Sequence, residues 1–435
     1  MSQRKIVLIG AGSVKFTQGL LADLIQSPTP WELGLVDIDP QALETAEGLA
    51  RRMVQAKQTD VSVEASTDRC DLLPGSDVVV TTIGVGGRRA WEADVFIPRK
   101  YGIWQPVGDT VMAGGVSRAM RMVPAMVDIA RDVVKLCPQA LFFNYANPMT
   151  VNCWAVRKAT GANIVGLCIG VHGIVDSLAR IIGAPSDEVT ALAAGLNHFT
   201  WIYDLRWKGQ DAWPMLRDKI KENPGIGGRF CEWLFESYGA FPAVGDGHVM
   251  EFFPERFPDG DCFGRPLGKR GHFEHIIETD DSSYANMQAQ ARGEIPLDMN
   301  VFERPSGEHT KLLAIMKSIA EDRRATFFAN LQNLGAVPNL PDDAVLELTS
   351  VATGRGLMAL QVPDFPDTLA APLIRKIAAA SLTVDAALTG SRKLFVEALL
   401  ADGSIADPSE AGKLADELLT AHKQYLPQFN RHYWE

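Results

Sequence analysis

The chain has 435 residues, 46% of them hydrophobic and 22% charged, an ordinary globular composition at a length beyond that of a single core. Two domains, or one with a large appended lobe, are expected. Its 42 basic and 53 acidic residues leave a net charge of −11, which argues against the clustered Lys/Arg surface that nucleic acid or an anionic membrane requires. A small-molecule partner is expected instead. The six cysteines (Cys70, Cys137, Cys153, Cys168, Cys231, Cys262) lack C-x-x-C spacing and read as reduced thiols. The start "MSQRKIVLIGAG" holds too short an apolar run for a signal segment, and no stretch reaches membrane-spanning length. A cytoplasmic protein is expected.

Taken in order, "KIVLIGAGS" predicts a buried strand entering a glycine turn, "VKFTQGLLADLIQS" a helix, and "WELGLVDID" a second strand ending in acids. The turn G-A-G-S-V-K-F is close to G-x-G-x-x-G, with Lys15 where the third glycine is usual. Gly10, Gly12, Ser13 and Phe16 are therefore candidates for a dinucleotide, its pyrophosphate at the helix head. Asp37 is placed to accept from a ribose 2′-OH and to repel a 2′-phosphate, which favours NAD over NADP.

Strand and helix signals then alternate through "SDVVVTTIG", "GGVSRAMRMVPAMVDIARDVVKLCP", "ALFFNYANP", "NIVGLC" and "GIVDSLARIIG". This is the pattern of an α/β, Rossmann-type doubly wound parallel sheet, in which ligands sit beyond the carboxyl ends of the strands. Gly84, Asn147 and Cys168 fall at such ends. Beyond "LNHFTWIYDLRWKG" the alternation is lost, and a second, mixed and mostly helical lobe is expected, dividing the chain into 1–195 and 196–435.

Cys168 and His198 of "GLNHF" pair a soft thiolate with an imidazole, which suits a divalent transition metal with open positions for substrate oxygens. Spacing alone leaves the plainer reading open, a small core thiol and a structural histidine.

The set "GAGS…F", "VDID", "RKYG…GDTVMAGGVSRAMR", "NYANPM", "GLC…HG", "AGLNHFTW" and "GAVPNLPDDAVLEL" resembles the family 4 glycoside hydrolases over nearly the whole chain. The resemblance implies an NAD- and Mn²⁺-dependent glycosidase related to the lactate/malate dehydrogenases. By resemblance, Cys168 and His198 hold the metal and Asn147 contacts substrate. NAD⁺ takes hydride from sugar C3, a base removes the acidified C2 proton, the C1 substituent is eliminated, and water and hydride return. Such a route departs from the paired-carboxylate chemistry of most glycosidases.

The resemblance puts the base in "VGDGHVMEFFPERF", with Asp246 the first choice and His248 the second; a Gly-Asp-Gly turn is equally a structural device. Asp109 of "VGDTVMAGG" is a further site carboxylate by resemblance, or a helix cap. In many family members a polar residue follows the metal cysteine and can protonate the leaving oxygen, but Ile169 cannot. His172, or failing it Asp109, is the candidate replacement; His172 reads equally as a helix-capping or NAD-contacting residue. Arg89 and Arg292 are candidates for sugar contacts, and an arginine fork admits an anionic sugar; Arg89 could also be a solvated helix-start charge.

The expected substrate is a small α-glucoside or α-galactoside. An α-galacturonide or glucuronide comes second, a phospho-sugar third, and an NAD-dependent 2-hydroxy-acid dehydrogenase is the alternative of another class. The resemblance also implies a homodimer or homotetramer.

Overall fold

The computed structural model describes residues 4–258, 260–262, 265–266, 272–303 and 311–429. Six strands, β1 (Arg4–Ile9), β2 (Trp31–Val36), β3 (Ser62–Ser66), β4 (Val78–Thr81), β5 (Leu141–Asn144) and β6 (Ile164–Gly166), run parallel in the order β3-β2-β1-β4-β5-β6. This is the doubly wound order expected, with a crevice where the order reverses between β1 and β4. The last four residues of β1 and all of β4 are buried, as strands covered on both faces must be.

Local chemistry sets the helices between them. These are α1 (Thr17–Gln26), α2 (Pro40–Lys57), α3 (Arg69–Leu72), α4 (Gly87–Arg99), α5 (Met112–Leu136), α6 (Met149–Thr160) and α7 (Gly170–Ile182). The Asp39 side chain caps α2 by accepting from the amides of Gln41 and Ala42, with Pro40 in the first turn. Helix α7 ends at Gly183 in the left-handed region, φ 76°.

The sheet does not stop at β6. Asn330 of the antiparallel strand Thr326–Gln332 pairs with Gly166, and the sheet continues through Val345–Thr353, β7 (Val189–Leu196), β8 (Phe199–Trp207) and Phe241–Ala243. The second half is mixed and mostly helical, as its sequence pattern predicts, with its strands extending the sheet, and the long helices Asp367–Thr389 and Arg392–Asp402 pack on α5. Residue 195 falls in the β7–β8 hairpin, and Val7 and Phe429 belong to one continuous apolar core.

One buried network reaches the site from below. Asp94 accepts from Ser117 Oγ at 2.8 Å and from an Arg121 terminal nitrogen at 3.0 Å, and lies 2.8 Å from His422 Nε2. The Arg121 Nε donates to the Val85 carbonyl at 2.9 Å and so fixes the loop that carries Gly84. A buried ion pair is tolerable where its remaining hydrogen-bonding capacity is met in this way. Among the described residues, no helix is long and apolar enough to cross a membrane.

Candidate active site

The dinucleotide end is built on the turn after β1. Gly10 has φ 94°, and a Cβ there would lie 2.8 Å from the Ile83 backbone nitrogen, so only glycine is accommodated. The Gly12 amide donates to Asp37 Oδ2 at 2.9 Å, and a Cβ on Gly12 would meet the Ala42 Cβ at 2.6 Å. The Ser13 amide closes the turn on the Gly10 carbonyl at 3.1 Å. Phe16 packs on Tyr145, ring centroids 5.5 Å apart. Lys15 is turned toward Trp91 of α4, its Nζ 5.3 Å from the ring centroid. Asp37 also accepts from the Asp39 amide, yet a carboxylate has further acceptor sites for a ribose hydroxyl. Beside it Ile38 is 87% exposed, an apolar surface that sequence reasoning missed. This cradle fits NAD.

The second end lies beyond β5 and β6. Cys168 follows β6, and its Sγ accepts from the Gly170 amide at 3.3 Å and lies 3.4 Å from His198 Nε2. Leu196 and Phe199 pair across the β7–β8 hairpin, which leaves Asn197 and His198 as the turn; His198 is held at φ 67°, where few side chains are found. The Thr110 hydroxyl donates to Asp109 Oδ1 at 2.7 Å, and Thr110 Oγ1 lies 2.9 Å from His198 Nδ1. A hydroxyl has one proton, so with that proton on Asp109 the Nδ1 must be the donor to Thr110. His198 Nε2 then faces the Cys168 sulfur as a bare lone pair, the state a metal ligand needs. Burial lowers the His198 pKa, against the opposing charge of Asp109.

Asp109, His198 and His248 bring ligand-type atoms within 4.8 Å of one another, and the two imidazole rings lie 4.3 Å apart. Burial alone would raise the Asp109 pKa, but His248, His198 and Arg118 together hold its carboxyl well below the usual range. Asn147 Nδ2 donates to Asp109 Oδ2 at 2.9 Å, while Asn147 Oδ1 is buried with no hydrogen-bond partner among the described residues. A soft donor, a neutral imidazole, a carboxylate and an unsatisfied amide oxygen fit a divalent transition metal with an oxygen-rich ligand beside it. Cys168 and His198 are the expected ligands.

Other expected residues stand elsewhere. Asp246 Oδ1 accepts from the Cys231 amide at 2.9 Å, in the first turn of the helix Arg229–Tyr238, and a Cβ on Gly228 would lie 2.5 Å from it. Its carboxylate therefore caps a helix, and the residue of that segment facing Asp109 and His198 is His248. His172 packs edge-on against Phe328, centroids 4.8 Å apart, with Nε2 buried and unpartnered among the described residues. Burial, reinforced by Lys311, drives its pKa down to about 3, so it is neutral at pH 7 and is not a ready acid. The Arg89 side chain is 75% exposed beside Glu92, as a solvated helix charge would be. Arg292 ends the helix His272–Arg292, packed on α2, with its side chain 61% exposed. The structure brings neither arginine to Asp109 and Asn147.

Three further residues escape the sequence reading. Thr110 sets the His198 tautomer. Glu251 is 1% exposed and accepts from the Val107 and Gly108 amides, both at 2.8 Å; burial pushes its pKa up to about 8. Arg118 donates from Nε to the Asn147 carbonyl at 3.1 Å. The isolated Glu in "MEFFP" and the Arg one turn beyond "AGG" are the signals the sequence offers for the last two.

The family 4 glycosyl hydrolase model matches residues 5–184, and the model of that family's C-terminal domain matches residues 193–405. An alpha-galactosidase of Rhizobium meliloti is 30% identical, over 99% of this chain and 90% of its own length. An alpha-galacturonidase of Bacillus subtilis is 29% identical, over 96% of this chain and 97% of its own. Among solved structures, a 6-phospho-alpha-glucosidase from gut microorganisms, in complex with NAD and Mn²⁺, superposes with a TM-score of 0.87 at 20% identity, covering 98% of this chain and 100% of that one. Malate dehydrogenase of Cryptosporidium parvum reaches 0.54 at 13% identity, covering 89% of this chain and 99% of that one, a likeness of fold alone. With its two family matches spanning most of its length, the chain belongs to the family 4 glycosyl hydrolases.

Proposed function

We propose that this glycosidase hydrolyses a small, unphosphorylated α-linked glycoside, an α-glucoside or α-galactoside in the first instance, by transient oxidation at C3, with NAD and Mn²⁺ as cofactors. The observation that carries the reading is the Cys168 sulfur 3.4 Å from the bare Nε2 of His198, at the sheet edge that also carries the Gly10–Gly12 cradle. Cys168 and His198 would hold the metal, and Gly10, Gly12, Ser13, Phe16, Asp37 and Gly84 the dinucleotide. Bound there, these groups supply a reversible hydride acceptor for C3 and a Lewis acid for the C2 and C3 oxygens. Family membership sets aside the dehydrogenase alternative, whose kinship is the shared fold.

The remaining roles fall to side chains. His248 is the base for the C2 proton, next to an ionised Asp109 that steadies the imidazolium it becomes. Asn147 Oδ1 accepts from a sugar hydroxyl, since its Nδ2 is already committed to Asp109. Asp109 ionised and His172 neutral both lack a ready proton for the leaving oxygen, and Ile169 has none to give. Aryl leaving groups, which need little protonation, are therefore cleaved faster than sugar leaving groups.

We assign dinucleotide binding to 1–195 and substrate, metal and oligomer contacts to 196–435, with Cys168 and Asp109 of the first half meeting His198 and His248 of the second. Five described cysteines are free thiols, which supports a cytoplasmic setting; a homodimer or homotetramer follows from the family resemblance. The test is cofactor dependence. Gel-filtered, chelator-treated protein loses activity on nitrophenyl α-glycosides, and Mn²⁺ with NAD⁺ and a thiol reductant restores it. Full activity without either cofactor would refute the proposal.

A further inference from the structure

We propose that Glu251 is a positioning residue for the elimination step: one carboxylate oxygen pins the loop that carries Asp109, and the other orients the His248 ring so that its Nε2 meets the C2 proton. This deepens the base assignment above and rests on it. His248 lies in the one-turn helix Asp246–Val249 and Glu251 in the turn Met250–Phe252 that continues it, at i and i+3 and so on one face. Glu251 Oε1 accepts from the Val107 and Gly108 amides, both at 2.8 Å. The Val107 carbonyl in turn accepts from the Trp91 indole N–H at 2.8 Å. The next two residues are Asp109 and Thr110, which engage Asn147 and His198. A single carboxylate oxygen thereby ties the segment of His248 to the loop of Asp109.

Loop anchoring uses only half of the carboxylate. Oε2 is buried, has no hydrogen-bond partner among the described residues, and lies 3.8 Å from His248 Nδ1. That separation is beyond a hydrogen bond but within ion-pair range. No Lys or Arg among the described residues lies within 4.0 Å of the Glu251 carboxylate; Lys376, a buried cation of the same region, is paired with Asp402. Burial pushes the Glu251 pKa up to about 8 against its two amide bonds, and Asp109 and Asp402 add to the rise. The ionised form is therefore costly beside a neutral imidazole and compensated once His248 carries the sugar proton. An anion opposite Nδ1 also keeps the ring proton on that nitrogen and leaves the Nε2 lone pair to act as base, as a buried carboxylate does for the histidine of a hydrolase triad.

Glu251→Gln is the decisive variant, because its amide oxygen can still accept from Val107 and Gly108 while its NH₂ group replaces Oε2. An N–H facing Nδ1 puts the imidazole proton on Nε2, the wrong tautomer for the base. The measurements are made at about pH 9, above the raised value of Glu251, with NAD⁺ and Mn²⁺ bound. Glu251→Gln keeps the wild-type melting temperature, cofactor affinities and KM for a nitrophenyl α-glycoside, while kcat falls about 10²- to 10³-fold and the C2-deuterium isotope effect on kcat rises. Glu251→Ala loses the loop anchor as well, and with it thermal stability. Long-range proton–nitrogen NMR of histidine-labelled protein, with His248 assigned by its absence in His248→Gln, reads the ring proton on Nδ1 in the wild type and on Nε2 in Glu251→Gln. A kcat in Glu251→Gln within about threefold of wild type would make Glu251 a loop anchor alone and overturn the proposal. Loss of Mn²⁺ from that variant would also overturn it, by making His248 a metal ligand. If the wild type cleaves no glycoside, the glycosidase reading fails, and the tautomer shift still decides the role of Glu251. Should Glu251→Gln not fold, a wild-type His248 with its proton on Nε2 overturns the proposal and one with its proton on Nδ1 supports it.

Discussion

Cys168→Ala yields a folded protein that binds NAD⁺, retains little Mn²⁺ after gel filtration, and has lost at least about 10³-fold in kcat/KM on an aryl α-glycoside. The thiolate is the soft member of the donor set, and without it the ion is left to His198 Nε2 and the neighbouring oxygen donors, a weaker hold on an exchangeable ion. The fold survives because the side chain is small, so that its truncation removes one sulfur atom, with contacts to the Gly170 amide and His198 among those lost. Metal analysis, calorimetry with NAD⁺ and a thermal melt separate these effects. Full Mn²⁺ stoichiometry in the variant would remove Cys168 from the metal site.

His248→Gln abolishes proton exchange at sugar C2 and lowers kcat by about 10²- to 10⁴-fold, the range expected when a positioned base is removed. NAD⁺ affinity stays near wild type, because His248 lies with Asp109 and His198, apart from the turn after β1. Asp246→Asn behaves differently. The Asp246 carboxylate accepts from the Cys231 amide at the head of a ten-residue helix, so the change costs about 1 kcal/mol of stability as a weakened cap and leaves exchange intact. Deuterium exchange on both variants, read beside their melting curves, distinguishes the two residues. Exchange lost in Asp246→Asn and kept in His248→Gln would return the base to Asp246.

The parts legible in the sequence are those specified by short segments. Strand β1, its glycine turn and Asp37 lie within one β-α-β unit, and Cys168 and Asn147 announce themselves by following apolar strands. The family resemblance ties them to His198. Less legible are contacts across long separations: Thr110 and His198 are 88 residues apart, and the β6 partner Asn330 stands 164 residues beyond Gly166. No local periodicity reports such a pairing, which is why the sequence does not show that the strands of the mostly helical second half continue the sheet of the first. Asp246 reads as a base because nothing near it in sequence betrays its partner, Cys231, on a different helix. His172 reads as an acid because its position after Cys168 says nothing of Phe328 against its ring. Arg89 and Arg118 illustrate the same limit on helices, since exposure depends on which face meets a neighbour: Arg89 points to water beside Glu92 and Arg118 to the Asn147 carbonyl.

The most direct test of the central claim, that the glycosidic bond is broken by elimination after oxidation rather than by displacement, is the fate of hydrogen at C2. A nitrophenyl α-glycoside deuterated at C2 is turned over in ordinary water by the NAD⁺- and Mn²⁺-loaded enzyme, and the released sugar is analysed by NMR. The account predicts that the label is lost to solvent, because the C2 proton leaves to His248 before the aglycone departs and a solvent-equilibrated proton returns. Product that retains all of its C2 deuterium at full turnover would contradict it.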